Sequence, residues 1–214
     1  MDIDKIYSTL EKEFNSNSLK HSEFVDFMEN VKNPYIVLIC CILSLRTNDK
    51  TTISASKRML ELACTPEEME KIDEETLENA IYPVGFYKNK ASQIIELSKT
   101  LVEKYNSKVP NEIDELTKFK GVGRKTANLV LTKGFNTPAI CVDVHVHRIF
   151  NRLGYVKTKT PDETEFALRK ILPQKYWIQI NTYLVTLGQN ICKPQRPKCE
   201  LCPIKSECKS FSCL

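Results

Sequence analysis

Four cysteines near the C-terminus constrain the fold of this 214-residue chain more than any other feature of its sequence. They follow the spacing C-x6-C-x2-C-x5-C and lie within 17 residues: Cys192, Cys199, Cys202 and Cys208. Four thiolates this close together are typical of a metal centre. A structural zinc site usually has two C-x2-C pairs set well apart, whereas this segment has one such pair and two flanking cysteines. The spacing favours a four-iron cluster and leaves zinc open.

The other five cysteines do not suggest disulfide bonds. The total of nine is odd, which does not suit a fully paired disulfide framework. Cys213 is left over beside the metal segment and is interpreted as a free cysteine of the tail. The remaining four lie in apolar stretches and are expected in the core: Cys40, Cys41, Cys64 and Cys141.

Hydrophobic residues recur with a helical period along almost the whole chain. One such face consists of Ile3, Ile6, Tyr7, Leu10 and Phe14. Helix-start signals recur at Asn33-Pro34, Thr65-Pro66-Glu67-Glu68, Asp73 with Thr76, and Thr160-Pro161. The sequence has no clear alternating strand pattern, internal repeat or linker. It therefore predicts an all-α fold of about nine or ten short helices.

The N-terminus and the apolar runs indicate a cytoplasmic protein. The first five residues are acidic and lack the apolar core of a signal peptide. The longest apolar run, Tyr35 to Leu43, has nine residues, about half of the roughly 20 that cross a bilayer. We therefore expect no membrane partner. The net charge of +4, from 31 basic and 27 acidic residues, is compatible with a polyanionic partner without proving one.

The segment from Leu116 to Leu131 is typical of a helix, a tight glycine turn and a second helix. Gly121 and Gly123 flank Val122 and permit positive φ and a close approach of the backbone. The second helix would offer N-terminal amides and a positive dipole end to an anion. The basic residues around the turn make phosphate the expected anion: Lys118, Lys120, Arg124 and Lys125. A plain turn between packed helices, or a DNA-binding hairpin without chemistry, would also fit.

Asp143 is the candidate partner of Lys125 for chemistry. It lies where an apolar segment turns into a helix expected to end near Gly154. A lysine nucleophile must be uncharged to attack, and a nearby carboxylate can accept its proton or stabilise a cationic sugar. Alternatively Asp143 is a helix N-cap, and the two roles are compatible because capping would hold the carboxylate in place. His145 and His147, at i, i+2 spacing, are interpreted as structural or DNA-contacting rather than as metal ligands.

The loop between the first two clustered cysteines is strongly basic. Its six residues carry three positive charges, on Lys193, Arg196 and Lys198. A metal that fixes such a loop would make a rigid basic finger able to grip phosphates. The alternative is an ordinary solvated loop.

Together these motifs resemble the endonuclease III family of the helix-hairpin-helix DNA glycosylases. The matching segments are the hairpin from Gly121 to Asn128, the run from Val142 to His145 that contains the aspartate 18 residues after the lysine, and the four-cysteine pattern. Further matches extend the resemblance over nearly the whole chain: Leu43-Ser44, Asp49, Gly85-Phe86-Tyr87, Lys90-Ala91 and Asn151-Arg152-Leu153-Gly154. The combination is far more specific than any single segment.

The resemblance implies two α-helical domains with the DNA site in the cleft between them. A six-helix barrel would span 27–137 and contain the helix-hairpin-helix motif at about 114–133. A discontinuous domain would comprise 1–26 and 138–214 and carry a [4Fe–4S] cluster, rather than zinc, at 192–208. The protein is expected to be a nucleoid-associated monomer that binds duplex DNA containing a damaged base or an abasic site.

The resemblance also implies a base-excision repair enzyme. It would remove damaged bases, which are expected to be oxidised pyrimidines, and would cleave the abasic site on its 3′ side by β-elimination. Lys125 corresponds to the family's Schiff-base lysine and Asp143 to its catalytic aspartate. Members with another residue in place of Lys125 are monofunctional, so this lysine implies a lyase step. The expected DNA contacts are Phe86 and Arg46 as wedges in the base stack, and Lys120, Gly121, Val122, Gly123, Arg124, Lys193, Arg196 and Lys198.

The chain departs from the family pattern at two positions. The hairpin usually has Leu-Pro before its glycines, whereas this chain has Phe119-Lys120, and the added lysine should strengthen phosphate contact. Arg46 stands where the family often has a glutamine that fills the gap left by a flipped base, which leaves the opposite-base preference open. Two alternatives remain: a mismatch-specific glycosylase of the same superfamily, which Lys125 disfavours, and a non-enzymatic iron–sulfur DNA-binding protein.

Overall fold

The structure, a computed structural model, describes residues 2–16 and 18–211, and these ranges contain helices and turns but no β-strand. The predicted all-α fold is confirmed. Cys213, the predicted free cysteine, lies outside the described residues. The α-helices, in chain order, are α1 Ile3–Asn15, α2 Glu23–Glu29, α3 Pro34–Ser44, α4 Asp49–Leu62, α5 Pro66–Met69, α6 Glu74–Ile81, α7 Tyr87–Tyr105, α8 Ile113–Leu116, α9 Arg124–Leu129, α10 Val144–Leu153, α11 Pro161–Ile171 and α12 Trp177–Asn190.

The predicted nine or ten helices were too few for the described part of the chain. Helices α5 and α8 have only four residues each, too short to show a hydrophobic period. A π-helical turn, Val130–Gly134, extends α9. Three 3-10 turns follow at Gln174–Tyr176, Cys199–Leu201 and Lys205–Glu207.

The helix-start signals act as predicted. The Asn33 side chain accepts hydrogen bonds from the amides of Tyr35 and Ile36, at 2.9 and 3.3 Å, and so caps α3. Thr65 and Glu68 form a reciprocal capping box at the start of α5. Because these side chains satisfy amides that have no partner within the helix, they fix where each helix begins.

The chain divides into two compact units. Residues Glu23–Thr137 form one, here named the hairpin unit, and the described part of 1–22 and 138–214 forms the other, named the cluster unit. The core of the hairpin unit is α3, whose residues from Val37 to Leu43 are each no more than 2% exposed. This helix packs against α4, α7, α9 and the π-helical turn. Within the described ranges, no helix is both long and apolar enough to cross a membrane.

The core of the cluster unit lies among α1, α10, α11 and α12. Helix α12 packs against α1 and α10, and α10 also packs against α11. The largest fully buried side chain is Phe150 of α10, and it belongs to the same apolar cluster as Ile6 of α1 and Leu184 of α12. Aromatic rings extend this core, with Tyr7 lying 4.2 Å from Tyr176 between ring centroids. These contacts support α10, whose N-cap is the candidate aspartate.

Candidate functional site

The predicted hairpin is present as α8, a turn over 117–123, and α9. Gly121 has a φ of +74°, in the left-handed region, as predicted. The Val122 amide donates to the Phe119 carbonyl at 3.0 Å, and both side chains are buried, which anchors the turn in the core. Gly123 was also expected to permit positive φ, but its φ is −88°. A Cβ there would meet no heavy atom of the described residues within 4 Å, so this glycine borders open space. Lys120 of the same turn is exposed.

Lys125 lies in the first turn of α9 and is exposed. The three residues that follow it, Thr126, Ala127 and Asn128, are buried. The Asn128 amide group donates to the Arg124 carbonyl at 3.0 Å, which reinforces this turn. The small buried residues thus fix the helix that carries the lysine, while its side chain remains on the surface.

Asp143 is the N-cap of α10, as predicted. One carboxylate oxygen, Oδ1, accepts hydrogen bonds from the amides of His145 and Val146, both at 2.9 Å. The side chain is half-buried, and its second oxygen takes no part in the cap. Asp143 belongs to the cluster unit and Lys125 to the hairpin unit. Capping fixes the carboxylate without using both of its oxygens, so the cap is compatible with a chemical role.

The two histidines of α10 have different partners, as their spacing predicts. His147 Nδ1 lies 2.6 Å from the Thr164 hydroxyl, and His145 Nδ1 lies 3.0 Å from the Arg148 guanidinium. Arg148 in turn donates twice to the carbonyl oxygen of Cys192, at 3.0 Å from Nε and 2.7 Å from a terminal nitrogen. The helix capped by Asp143 is therefore bonded to the segment that holds the first clustered cysteine.

The four clustered cysteines line a single cavity of about 240 Å³ in the cluster unit. Among the residues that the structure describes, no three His, Cys, Asp or Glu side chains are arranged to hold a metal ion between them. A tetrahedral zinc at about 2.3 Å from each sulfur would draw the sulfurs within about 4 Å of one another. The cavity that the four cysteines line is also lined by Arg152, Lys205 and Phe211. Burial raises the pKa of the Cys202 thiol to about 11, so a bound cation would have to stabilise the thiolate that acts as a ligand.

Arg152, also on α10, supports the cavity and the basic loop beside it. Its guanidinium donates to the Cys192 sulfur at 3.3 Å, to the Lys193 carbonyl at 2.7 Å and to the Pro194 carbonyl at 2.8 Å. The side chains of Lys193, Arg196 and Lys198 are exposed around this anchored backbone. The predicted basic finger therefore has a fixed base and exposed charges.

Two predicted wedge residues lie side by side in the hairpin unit. The Arg46 guanidinium carbon lies 5.8 Å from the centroid of the Phe86 ring. Both residues are exposed, Phe86 at 61%, which is unusual for so large an apolar side chain. Both have left-handed backbones, with φ of +53° and +58°. The two turns thus present a cation and an aromatic ring together on the surface.

The core assignment is correct for three of the four cysteines outside the metal segment. Cys40, Cys41 and Cys141 are buried, but Cys64 is exposed. It follows the end of α4 and precedes the capping box at Thr65, where its Sγ lies 3.0 Å from the Leu60 carbonyl. Its apolar neighbours in sequence belong to a helix that has already ended, which is why the prediction was wrong.

Sequence reasoning assigned no supporting role to three residues, although the resemblance includes two of them, Lys90 and Arg152. Arg148 and Arg152 are four positions apart on the helix capped by Asp143, and this i, i+4 spacing could have indicated a shared face. Lys90 is a buried lysine in the first turn of α7. The sequence matches Lys90 to the family pattern and places it four positions before the buried Ile94, but it does not indicate which groups the ammonium binds.

Comparison with known proteins gives one consistent result. The model of the HhH-GPD superfamily of base excision DNA repair proteins matches residues 39–174. Endonuclease III of Thermotoga maritima is 51% identical over 179 residues, which cover 84% of each chain.

Solved structures agree with the sequence comparison. A non-covalent endonuclease III–DNA complex is similar with a TM-score of 0.83 and 35% identity, over 99% of this chain and 97% of that chain. A trapped endonuclease III–DNA covalent intermediate, an estranged-adenine complex, gives the same TM-score and identity over 99% and 98%. The likeness therefore extends over both units of this chain.

Proposed function

We propose, from the premise that this chain belongs to the endonuclease III family of the HhH-GPD superfamily, that Lys125 and Asp143 carry its chemistry. The chain is a base excision repair enzyme, a DNA glycosylase and abasic-site lyase that acts on duplex DNA. The observation that carries the residue assignment is local. An exposed lysine begins a helix fixed by buried residues, directly after an exposed glycine turn, at the position that matches the family's Schiff-base lysine.

Lys125 is the nucleophile of this proposal. Its uncharged amine attacks C1′ of the damaged nucleotide, the bond from C1′ to the base breaks, and the base leaves with the bonding electrons and a proton. The C1′–O4′ bond then breaks and the remaining amine proton passes to O4′, which opens the sugar ring and leaves an imine between Nζ and C1′. Removal of a proton from C2′ then expels the 3′ phosphate by β-elimination, and water hydrolyses the imine to regenerate the lysine.

Asp143 is the partner that manages charge and protons. Its capped oxygen is bound by two backbone amides, so the carboxylate is held in one orientation. In the proposed mechanism the second oxygen accepts the lysine proton or stabilises the positive charge that develops on the sugar. The free energy of capping thereby contributes to preorganisation of the site.

Arg46 and Phe86 are proposed to replace the flipped base in the stack. A large exposed aromatic ring can enter between base steps, and a planar guanidinium can stack and donate to the orphaned base. Their separation of 5.8 Å allows both to act at one step of the duplex.

The substrate is proposed to be an oxidised pyrimidine in duplex DNA, and the place of action the nucleoid in the cytoplasm. A panel of duplexes, each with one damaged base opposite each of the four normal bases, tests this with purified protein. Release of oxidised pyrimidines should be fastest. Release of normal bases from mismatches, without release of oxidised pyrimidines, would contradict the proposal.

Phosphate contacts are proposed at two basic surfaces. The turn before α9 offers Lys120, Arg124 and the backbone of Gly121 and Gly123, and a helix start with open space suits a phosphate. The loop over 193–198 offers three exposed basic side chains on a backbone held by Arg152. Such contacts position the enzyme without reading sequence.

The cavity lined by the four clustered cysteines is proposed to hold a [4Fe–4S] cluster. The four cysteines help to line one cavity of about 240 Å³, which has room for a group larger than a single ion. Bound through Cys192, Cys199, Cys202 and Cys208, the cluster would supply iron–thiolate bonds that cross-link the segment. Arg148 and Arg152 hold the backbone around its first ligand.

Borohydride trapping tests the nucleophile. Reduction of the imine should link wild-type protein covalently to a duplex with an abasic site. Lys125→Gln should lower the trapped yield by on the order of 10³-fold or more while duplex binding persists. Lys99→Gln, which removes an exposed lysine of α7, is the matched control and should trap as wild type. Undiminished trapping by Lys125→Gln would show that another amine is the nucleophile.

A further inference from the structure

Lys90 is a buried lysine without a charged partner. It lies in the first turn of α7 and is 5% exposed. Its ammonium donates to the Leu43 carbonyl at 2.9 Å, to the Leu45 carbonyl at 2.5 Å and to the Thr47 hydroxyl at 3.2 Å. These three partners, within the described part of the chain, carry no charge. Burial of an ammonium without a carboxylate costs free energy, so what Lys90 contributes must be sought in the segment it binds.

That segment is the end of α3 and the turn that follows it. The last carbonyls of a helix have no partner within the helix and form the negative end of its dipole. The ammonium of Lys90 binds them at Leu43 and Leu45, and so fixes the chain immediately before Arg46. Burial lowers the pKa of Lys90 to about 8, which leaves the charged form and its three donors predominant at neutral pH.

Thr47 connects this turn to the turn that carries Phe86. Its hydroxyl accepts from Lys90 and from the Gly85 amide, at 3.2 Å each, and donates to the Leu45 carbonyl at 3.3 Å. The turns also touch directly, because a Cβ on Gly85 would lie 2.7 Å from the Arg46 carbonyl oxygen. We name these three residues, Lys90, Thr47 and Gly85, the clasp.

The clasp holds two unfavourable backbone conformations next to each other. Arg46 and Phe86 both have positive φ, which L side chains adopt at a cost, and both are exposed. Such strain persists where the surrounding structure over-determines it. Without the ammonium, the carbonyls of Leu43 and Leu45 would lose the donor that they share. The backbone before Arg46 would then become more mobile.

We propose that Lys90 is a positioning residue for base flipping, whose ammonium holds the turn of Arg46 against the turn of Phe86 so that both side chains enter the base stack together. This inference rests on the wedge role proposed above for Arg46 and Phe86. Lys90 does not itself contact DNA, because its three donors are bound to the interior of the hairpin unit. It acts through the two turns and leaves the chemistry at Lys125 unchanged.

The first test compares substrates that do and do not need a wedge. Lys90→Met removes the ammonium and keeps the length of the buried stem. It should slow single-turnover release of a damaged pyrimidine from a duplex by about 10- to 100-fold, the loss expected from misplacement of positioning groups. It should leave cleavage of a preformed abasic site in single-stranded DNA unchanged, since that strand has no opposite base. Lys99→Met, an exposed lysine on the same helix, should match wild type on both substrates.

A fluorescent 2-aminopurine opposite the lesion gives a readout that a merely structural role would not move. Its emission should rise when wild-type protein unstacks it and should rise less with Lys90→Met at equal occupancy of the DNA. An equal loss of activity on duplex and single-stranded substrates, with normal 2-aminopurine emission, would overturn the proposal.

A double-mutant cycle separates this inference from the wedge proposal. Arg46→Ala combined with Phe86→Ala should slow duplex base release, and addition of Lys90→Met should then cause little further loss, since residues that act as one unit are not additive. Fully additive losses would overturn the role of Lys90. If the Arg46 and Phe86 changes alone have no effect, the wedge proposal fails first and the role of Lys90 falls with it.

Two further variants test the clasp should Lys90→Met not fold. Thr47→Val removes the shared hydroxyl, and Gly85→Ala places a methyl group against the Arg46 carbonyl. Each should reproduce the selective loss on duplex substrate while its thermal melting shows a folded protein. Wild-type duplex activity in both variants would overturn the proposal.

Discussion

The hairpin unit carries its functional turns on helices that pack around α3, whose central residues are almost completely buried. Those turns are held by hydrogen bonds from Lys90, Thr47 and buried neighbours. The cluster unit has a core of its own, but its segment over 192–208 contains only two 3-10 turns of three residues each, arranged around a cavity. In that segment Ile204 alone of the described residues is buried. The hairpin unit should therefore keep its site through its own contacts, whereas the cluster segment should depend on a bound group.

Removal of one cluster ligand should have the largest effect and should fall on one unit only. Cys202→Ser is expected to abolish iron binding and to unfold the segment over 192–208, because binding free energy of a structural metal is folding free energy. The loss in free energy of unfolding should be comparable with the roughly 5–15 kcal/mol that stabilises a whole domain. Elemental analysis and visible absorbance measure the loss of iron. Hydrogen exchange measures the unfolding of each unit, and slow exchange should be retained in α3.

The matched control for this variant is Cys64→Ser. Cys64 is exposed and lies outside the metal segment, so its replacement should leave iron content and thermal stability as in wild type. About one zinc per chain and no iron in wild-type protein would contradict the cluster assignment. Equal loss of protection in α3 and in the cysteine segment would contradict the independence of the two units.

Asp143→Asn tests a part of the cluster unit that should not depend on a bound group, because α10 is a regular helix with its own cap. Asparagine caps about as well as aspartate, so thermal stability should change little. The carboxylate is lost, so base release should slow by about 10²- to 10⁴-fold, the usual contribution of a positioned acid or base. Single-turnover kinetics on a damaged duplex and melting curves check both expectations.

Asp143→Ala separates the two roles further. It removes the cap as well as the carboxylate, and should cost about 1 kcal/mol of stability in addition to the same loss of rate. Wild-type rates in Asp143→Asn together with a stability loss in Asp143→Ala would mean that this residue is only a cap.

The features predicted best from sequence have a local signature. The N-caps at Asn33, Thr65 and Asp143 bind residues two or three positions away, and the structure has all three. The left-handed turn at Gly121 and the buried helix around Ile39 follow from composition over a few residues. The four cysteines are recognisable because a metal site needs particular donors at short spacing.

The features missed depend on contacts distant in sequence. Lys90 binds oxygens more than 40 positions away, so its partners cannot be inferred from the residues around it in the sequence. Cys64 looked apolar from its neighbours, but its exposure depends on where α4 ends. Arg148 and Arg152 reach the Cys192 segment across 40 to 44 positions. Hydrophobic periodicity indicates which face of a helix is buried, but it carries no information about which carbonyl a long side chain will meet.

The smallest expected effects are on the salt dependence of DNA binding by the two basic surfaces. They distinguish the two units, because one surface is fixed by contacts within the hairpin unit and the other by the cluster segment. Each phosphate contact contributes about 0.9 to the slope of log binding constant against log salt. Lys120→Gln in the hairpin unit, and Lys193→Gln, Arg196→Gln or Lys198→Gln in the cluster unit, should each lower the slope by about that amount. Lys99→Gln should leave it unchanged.

In Cys202→Ser the contributions of the cluster loop should disappear together, since its backbone would no longer be fixed, while that of Lys120 should remain. An unchanged slope in all four single variants would contradict the phosphate contacts, and a lost Lys120 contribution in Cys202→Ser would show that the hairpin turn, too, depends on the metal segment.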